Sequence, residues 1–157
     1  MIVDASLVVD AVCDPGPRGV AARGTLAEQP PSEPLLAPGH FVFEIMSALR
    51  AAANRPDHPF QAADLPRALQ DAESYEIDIE GTPWADVHRA WELSEQSLRY
   101  ADGVYVAAAE RHQTGLLTAD GRIERSGAAV RCRIITVVTA EDNPLGGART
   151  GKAGSHE

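Results

Sequence analysis

Apolar positions along the chain follow two periods. Aliphatic or β-branched runs at positions 1–3, 35–37, 116–118 and 134–138 are of the kind that fill buried strands, and a further segment at 76–79 alternates in polarity. Between these runs the spacing is helical. Leu7, Val8 and Val12 follow a polar entry at positions 4–6, which predicts a first helix capped there. Further helices are predicted at 20–29, 40–53, 65–75, 83–96 and 102–113, with Pro15, Gly16, Pro17, Pro30, Pro31, Pro38 and Gly39 as punctuation. On the 40–53 helix Phe41, Ile45 and Leu49 form one stripe, and Glu44, Ser47 and Ala51 form another. On the 83–96 helix Trp84, Val87 and Trp91 share a side. Strands that alternate with helices predict a central parallel sheet covered on both faces, a three-layer α/β/α sandwich. After position 138 the periodicity stops, so the domain is read as 1–138 and residues 139–157 as a flexible tail.

Composition narrows the class. A chain of 157 residues, 44% hydrophobic and 24% charged, fits one globular domain with an ordinary core. No apolar run is long enough to span a bilayer, and the first residues lack the order of a signal peptide; the expectation is a cytoplasmic protein without a membrane partner. Cys13 and Cys132 form no CxxC pair, and Cys13 reads as a small apolar filler. The five histidines show no HxH or HExxH spacing, which disfavours a histidine-centred metallohydrolase. Trp84, Trp91, Tyr75 and Tyr105, at helical spacings, read as core or dimer contacts rather than base-stacking groups.

Four acids stand at the ends of elements. Asp4 follows the first strand, Asp120 follows the strand at 116–118, Glu44 lies one turn into its helix and Asp102 opens another. In open parallel sheets ligands bind outside the carboxyl ends of the strands, which predicts that the four share one edge. Carboxylates crowded there repel one another unless a cation is present. Oxygen donors without His or Cys favour Mg²⁺, or Mn²⁺, over zinc. Such an ion polarises a phosphodiester, supplies a hydroxide-like nucleophile and stabilises the leaving oxygen, so the predicted chemistry is metal-assisted phosphodiester hydrolysis. Each acid also has an ordinary structural reading. Asp4 and Asp102 suit helix caps, Glu44 a solvated face, and Asp120 before Gly121 a turn. Glu44 is the least ordinary, because it interrupts an apolar run at 41–46.

These residues carry a resemblance. The opening Ile2-Val3-Asp4-Ala5-Ser6 resembles the first motif of PIN-domain proteins, specifically the VapC-type toxins of bacterial toxin–antitoxin systems. Ala37-Pro38 with Phe43-Glu44 and Ala48-Leu49-Arg50 is similar to the second acidic motif, the run from Tyr100 to Glu110 around Asp102 to the third, and Leu117-Thr118-Ala119-Asp120-Gly121-Arg122 to the fourth. The motifs occur in family order over positions 1–138. One departure is Gly103 after Asp102, where the family usually has alanine, with Ala101 separating Tyr100 from the acid. The resemblance implies a Mg²⁺- or Mn²⁺-dependent endoribonuclease that releases a 5′-phosphate and a 3′-hydroxyl. It further implies inhibition by a cognate VapB-type antitoxin and a homodimer. Asp4, Asp102 and Asp120 fall on the metal-binding positions, Glu44 on the position that completes the shell, and Ser6 and Thr118 on supporting hydroxyl positions. A haloacid-dehalogenase-like phosphatase also places an Asp after its first strand, but it needs a second Asp where Ser6 stands. A third reading is a catalytically weak PIN domain that binds RNA or an antitoxin.

The net charge of −9 argues at first against a nucleic-acid substrate. It is concentrated, however, between positions 64 and 95, where nine acids face two bases. Arginines follow the motifs: Arg18, Arg23, Arg50, Arg55, Arg99, Arg111, Arg122 and Arg125. The expectation is an acidic flank turned away from RNA and a basic rim, with Arg99 and Arg122 as the leading RNA contacts.

Overall fold

Ile2 and Val3 have no exposed surface because β1 (Ile2–Val3) is the middle strand of the sheet. In the computed structural model, which describes residues 1–137 and Thr139, β1 is flanked by β2 (Leu36–Pro38) and β4 (Leu116–Thr118), with β3 (Asp78–Glu80) and β5 (Ile134–Thr136) at the edges. All strand pairs are parallel, with Ile2 opposite Leu36 and Leu116, and Val3 opposite Leu117. The strand order β3-β2-β1-β4-β5 reverses direction between β1 and β4, which opens a crevice at their carboxyl ends.

Helices cover the sheet. On one side α1 (Ala5–Cys13) packs against α2 (Pro17–Ala27), α3 (Phe41–Ala53) and α4 (Leu65–Glu73). On the other, α6 (Tyr100–Arg111) lies on β1, β2 and β4, and α5 (Trp84–Ser94) packs on α6. The three-layer α/β/α architecture is therefore as the sequence pattern implied. The stripe Phe41, Ile45, Leu49 faces the core, Cys13 is buried in it, and burial raises the Cys13 thiol to about 11.

Several boundaries differ from the expectation for local reasons. Glu76 has φ 52°, a left-handed turn, so β3 starts at Asp78, in register with Leu36, and not at 76. Arg99, in extended conformation, is the N-cap of α6, and its carbonyl accepts from the Gly103 N–H at 2.9 Å. Asp102 is consequently in the first turn and does not open the helix. Pro17 starts α2 three residues before position 20, as proline suits a first helical turn. A short helix α7 (Arg122–Arg125) follows β4 where none was expected; four residues carry no periodicity.

Trp84 and Trp91 are 78% and 61% exposed, which corrects the core reading for both. Asp86, Ala90 and Leu93 form the inward face of α5 instead. Asp86 tolerates burial because Arg111 donates to both its oxygens, at 3.1 and 3.0 Å, and also pairs with Glu80. Gly103 fits the same interface: a Cβ there would stand 3.1 Å from the Ala90 Cα and carbonyl oxygen, so the glycine sets how closely α5 and α6 approach. Val138 and the tail expected from 139 onward lie, apart from Thr139, outside the described residues. No helix among the described residues is long and apolar enough to cross a membrane.

Candidate active site

Asp4 leaves β1 as the N-cap of α1, with φ −82° and ψ 144°, and is only 6% exposed. Its Oδ1 accepts from the Ser6 N–H at 3.3 Å, the ordinary capping bond. Its Oδ2 accepts from the Ser6 hydroxyl at 2.7 Å and from the Thr118 hydroxyl at 2.5 Å. The Asp4 N–H donates to the Leu117 carbonyl at 2.9 Å, which locks the acid to the neighbouring strand. Asp4 is thus both a cap and a wall of a cleft of about 500 Å³ at the β1/β4 crevice. Thr118 and Ser6 also organise the far side. The Asp120 N–H donates to the Thr118 hydroxyl at 2.9 Å, and the Ala119 N–H donates to the Ser6 hydroxyl at 3.1 Å.

Glu44, Asp102 and Asp120 line the same cleft, together with Arg99 and Arg122. The four sequence-selected acids and the two leading arginines are therefore brought to one place from four separate segments. Among the described residues no side chain donates a hydrogen bond to Asp102. Burial first, then the charges of Asp4 and Asp120, push its carboxyl up to about 6, although Arg122 and Arg99 oppose them. Asp120 behaves oppositely. Arg122 grips both its oxygens from two positions along the chain, and the guanidinium holds the carboxyl below its ordinary range. Glu44 accepts from the Tyr105 hydroxyl at 2.6 Å. Burial, followed by that carboxylate, holds the Tyr105 phenol protonated far above its usual range.

Other arginines of the expected rim have partners of their own. Arg18 pairs with the cleft residue Asp10, Arg23 donates to the Ala11 and Asp14 carbonyls, and Arg111 is committed to Glu80 and Asp86. Sequence reasoning missed Asp10, which lines the cleft one turn after Ser6, and the contacts of Tyr105 and His40 with Glu44. The available signals were spacings: Asp10 is i+4 from Ser6, and Tyr105 is i+3 from Asp102.

The donor set fits a hard divalent cation. Among the described residues no three His, Cys, Asp or Glu side chains form a ready-made cage. Mg²⁺ seldom needs one, because it keeps several waters and takes only one or two protein carboxylates. The Asp102 carboxyl is raised by burial first and then by the neighbouring Asp4 and Asp120 charges, and such an ion relieves the second cause.

Comparison with known proteins establishes the fold and the family. A search of curated protein sequences finds no match. Among solved structures, the chain resembles VapC20 of Mycobacterium tuberculosis, described as a toxin that cleaves the sarcin-ricin loop. That likeness has a TM-score of 0.62 at 17% identity and covers 82% of this chain and 95% of that one. A toxin–antitoxin complex from Klebsiella pneumoniae matches with a TM-score of 0.57 at 16% identity, covering 87% and 97%. FitAcB from Neisseria gonorrhoeae matches at 0.61 with 12% identity, covering 86% and 96%. At these identities the structures establish a shared fold. The PIN domain profile matches residues 1–128, a span that contains all four acids and both cleft arginines. By that match, the chain belongs to the PIN domain family.

Proposed function

We propose that this protein is a VapC-type toxin, a Mg²⁺-dependent endoribonuclease, with Mn²⁺ as an alternative ion, held in check by a cognate VapB-type antitoxin. The observation that carries this reading is the convergence of Asp4, Glu44, Asp102 and Asp120 on one cleft flanked by Arg99 and Arg122. The toxins among its structural neighbours support the same assignment. A homodimer in the cytoplasm completes the proposal.

Asp4, Asp102 and Asp120 would hold the ion directly or through its waters, and Glu44 would complete its shell. The ion supplies charge neutralisation and Lewis acidity toward a phosphodiester. The protein does the rest. Arg99 and Arg122 offer planar donors to non-bridging phosphate oxygens, which fixes the RNA strand over the acids. Ser6 and Thr118 orient Asp4 by donating to one of its oxygens. Glu44 orients the attacking water.

The test is cleavage of RNA by the purified chain, with mapping of new 5′ ends. Cleavage that depends on Mg²⁺ or Mn²⁺ and vanishes in Asp4→Asn and Asp102→Asn supports the reading. Cleavage unchanged in both variants sinks it, and no turnover at any concentration of either ion identifies a binding module instead. A sarcin-ricin loop oligonucleotide is a suitable first substrate, because VapC20 is described as acting on that loop.

A further inference from the structure

Two aromatic side chains that do not line the cleft fix the position of Glu44. Tyr105 has no exposed surface and lies one helical turn after Asp102 on α6. A buried phenol needs a hydrogen-bond partner, and this one donates to Glu44 Oε2 at 2.6 Å, within the range of a charge-assisted bond. That bond crosses from α6 to α3. The His40 ring packs against the Tyr105 ring, with centroids 4.7 Å apart and planes tilted by 56°. His40 Nε2 is buried without a hydrogen-bond partner among the described residues and stands 3.6 Å from the same Oε2. Both contacts fall on one carboxylate oxygen, and no described side chain engages Oε1.

We infer that Tyr105 is a positioning residue for Glu44, with His40 as the wall that holds the phenol ring in place. Helix α6 then sets two of the four acids at once, Asp102 directly and Glu44 through the Tyr105 hydroxyl. The arrangement joins α3 and α6 at one carboxylate oxygen, which restrains Glu44 at the cleft despite a side chain that is 35% exposed. This inference rests on Glu44 belonging to a divalent-cation site. It goes beyond that reading by assigning the atom that orients it.

The experiment compares the full chain with Tyr105→Phe, Glu44→Ala and the double variant. Mn²⁺ affinity is read by electron paramagnetic resonance, and kcat and KM for RNA are measured alongside. Tyr105→Phe keeps the ring and removes only the hydroxyl. It is expected to weaken Mn²⁺ binding and lower kcat by about tenfold, the low end for loss of a group that orients a ligand, with KM for RNA unchanged. In the Glu44→Ala background the same substitution is expected to change neither quantity, which a purely structural role would not produce. Wild-type values in Tyr105→Phe, or an equal loss in the Glu44→Ala background, overturn the inference. If Tyr105→Phe does not fold, His40→Ala must show the same coupling to Glu44→Ala, or the inference fails. A wild-type chain that binds Mn²⁺ without cleaving RNA removes the nuclease reading, and the Mn²⁺ arm still decides the role of Tyr105. A wild-type chain that binds no Mn²⁺ removes both.

Discussion

Thr118 and Asp4 are separated by 114 positions in the chain and by 2.5 Å in space, where the threonine hydroxyl donates to Asp4 Oδ2. Thr118 has no exposed surface, so water cannot replace this bond. Thr118→Val keeps the shape and removes the donor. Asp4 retains its two bonds from Ser6, and the expected loss is about 1–2 kcal/mol by urea unfolding, with Thr118→Ser close to wild type. A valine variant as stable as wild type would show that this bond adds nothing net.

Asp102 makes the site sensitive to pH. Its carboxyl, raised from 3.8 to about 6, binds a proton more tightly in the folded chain than in the unfolded one. Its stabilising contribution is therefore complete below pH 3.8 and is lost as pH rises through about 6. Asp120, Glu80 and Glu110, held low by arginine partners, act in the other direction as pH falls, so the quantity to follow is wild type minus Asp102→Asn. That difference in melting temperature is expected to decline between about pH 4 and 6 and then level off. Added Mg²⁺ competes with the same proton and should raise the melting temperature at neutral pH but not at about pH 5. Equal Mg²⁺ shifts at both would count against a cation on Asp102.

Arg111 carries the buried Asp86, which is 3% exposed, and ties it to Glu80 on β3. Arg111→Met strands that carboxylate, at a cost of about 3 kcal/mol, whereas Arg111→Met with Asp86→Asn should recover most of it. The pair is remote from the cleft lining, so turnover per folded molecule should not change. Denaturation and active-fraction measurements on the same preparations check both statements.

Arg99 and Arg122 divide their labour. Arg99→Ala is expected to raise KM for RNA and to reduce the salt slope by about 0.7, one phosphate contact on a single strand. Arg122→Ala should do this and also lower kcat, because Arg122 holds Asp120. Neutralising Asp71, Glu73, Glu76 and Asp78 should leave cleavage nearly intact. The reverse pattern in steady-state kinetics would refute an acidic flank that faces away from RNA.

What the chain made legible depended on the distance over which each feature is written. The acids were visible because each stands beside its own strand or helix boundary, and a parallel sheet brings such boundaries to one edge. The grip of Tyr105 on Glu44 was not visible, since 61 positions separate the two and α6 reads simply as an apolar helix. The core half of the reading of Trp84 and Trp91 failed for a different reason. Helical spacing shows that residues share a face but not which face is inside, and on α5 that choice is made by Asp86 pairing with Arg111. The basic rim was overcounted because Arg23 and Arg111 are spent on partners that proximity in sequence does not reveal.

The adjacency of β1 and β4 at the centre of the sheet also sets when the site can exist. One wall comes from residues 4–6 and the facing wall from residues 118–122, joined by the Ser6 and Thr118 hydroxyls at 3.2 Å. Contacts so distant in sequence form late in folding, after the intervening loop has been closed. A growing chain released before Thr118, or a fragment clipped anywhere between the two walls and separated, contains half of this cleft. The cleft is incomplete until nearly the whole domain has been synthesised and its first strand has found its fourth.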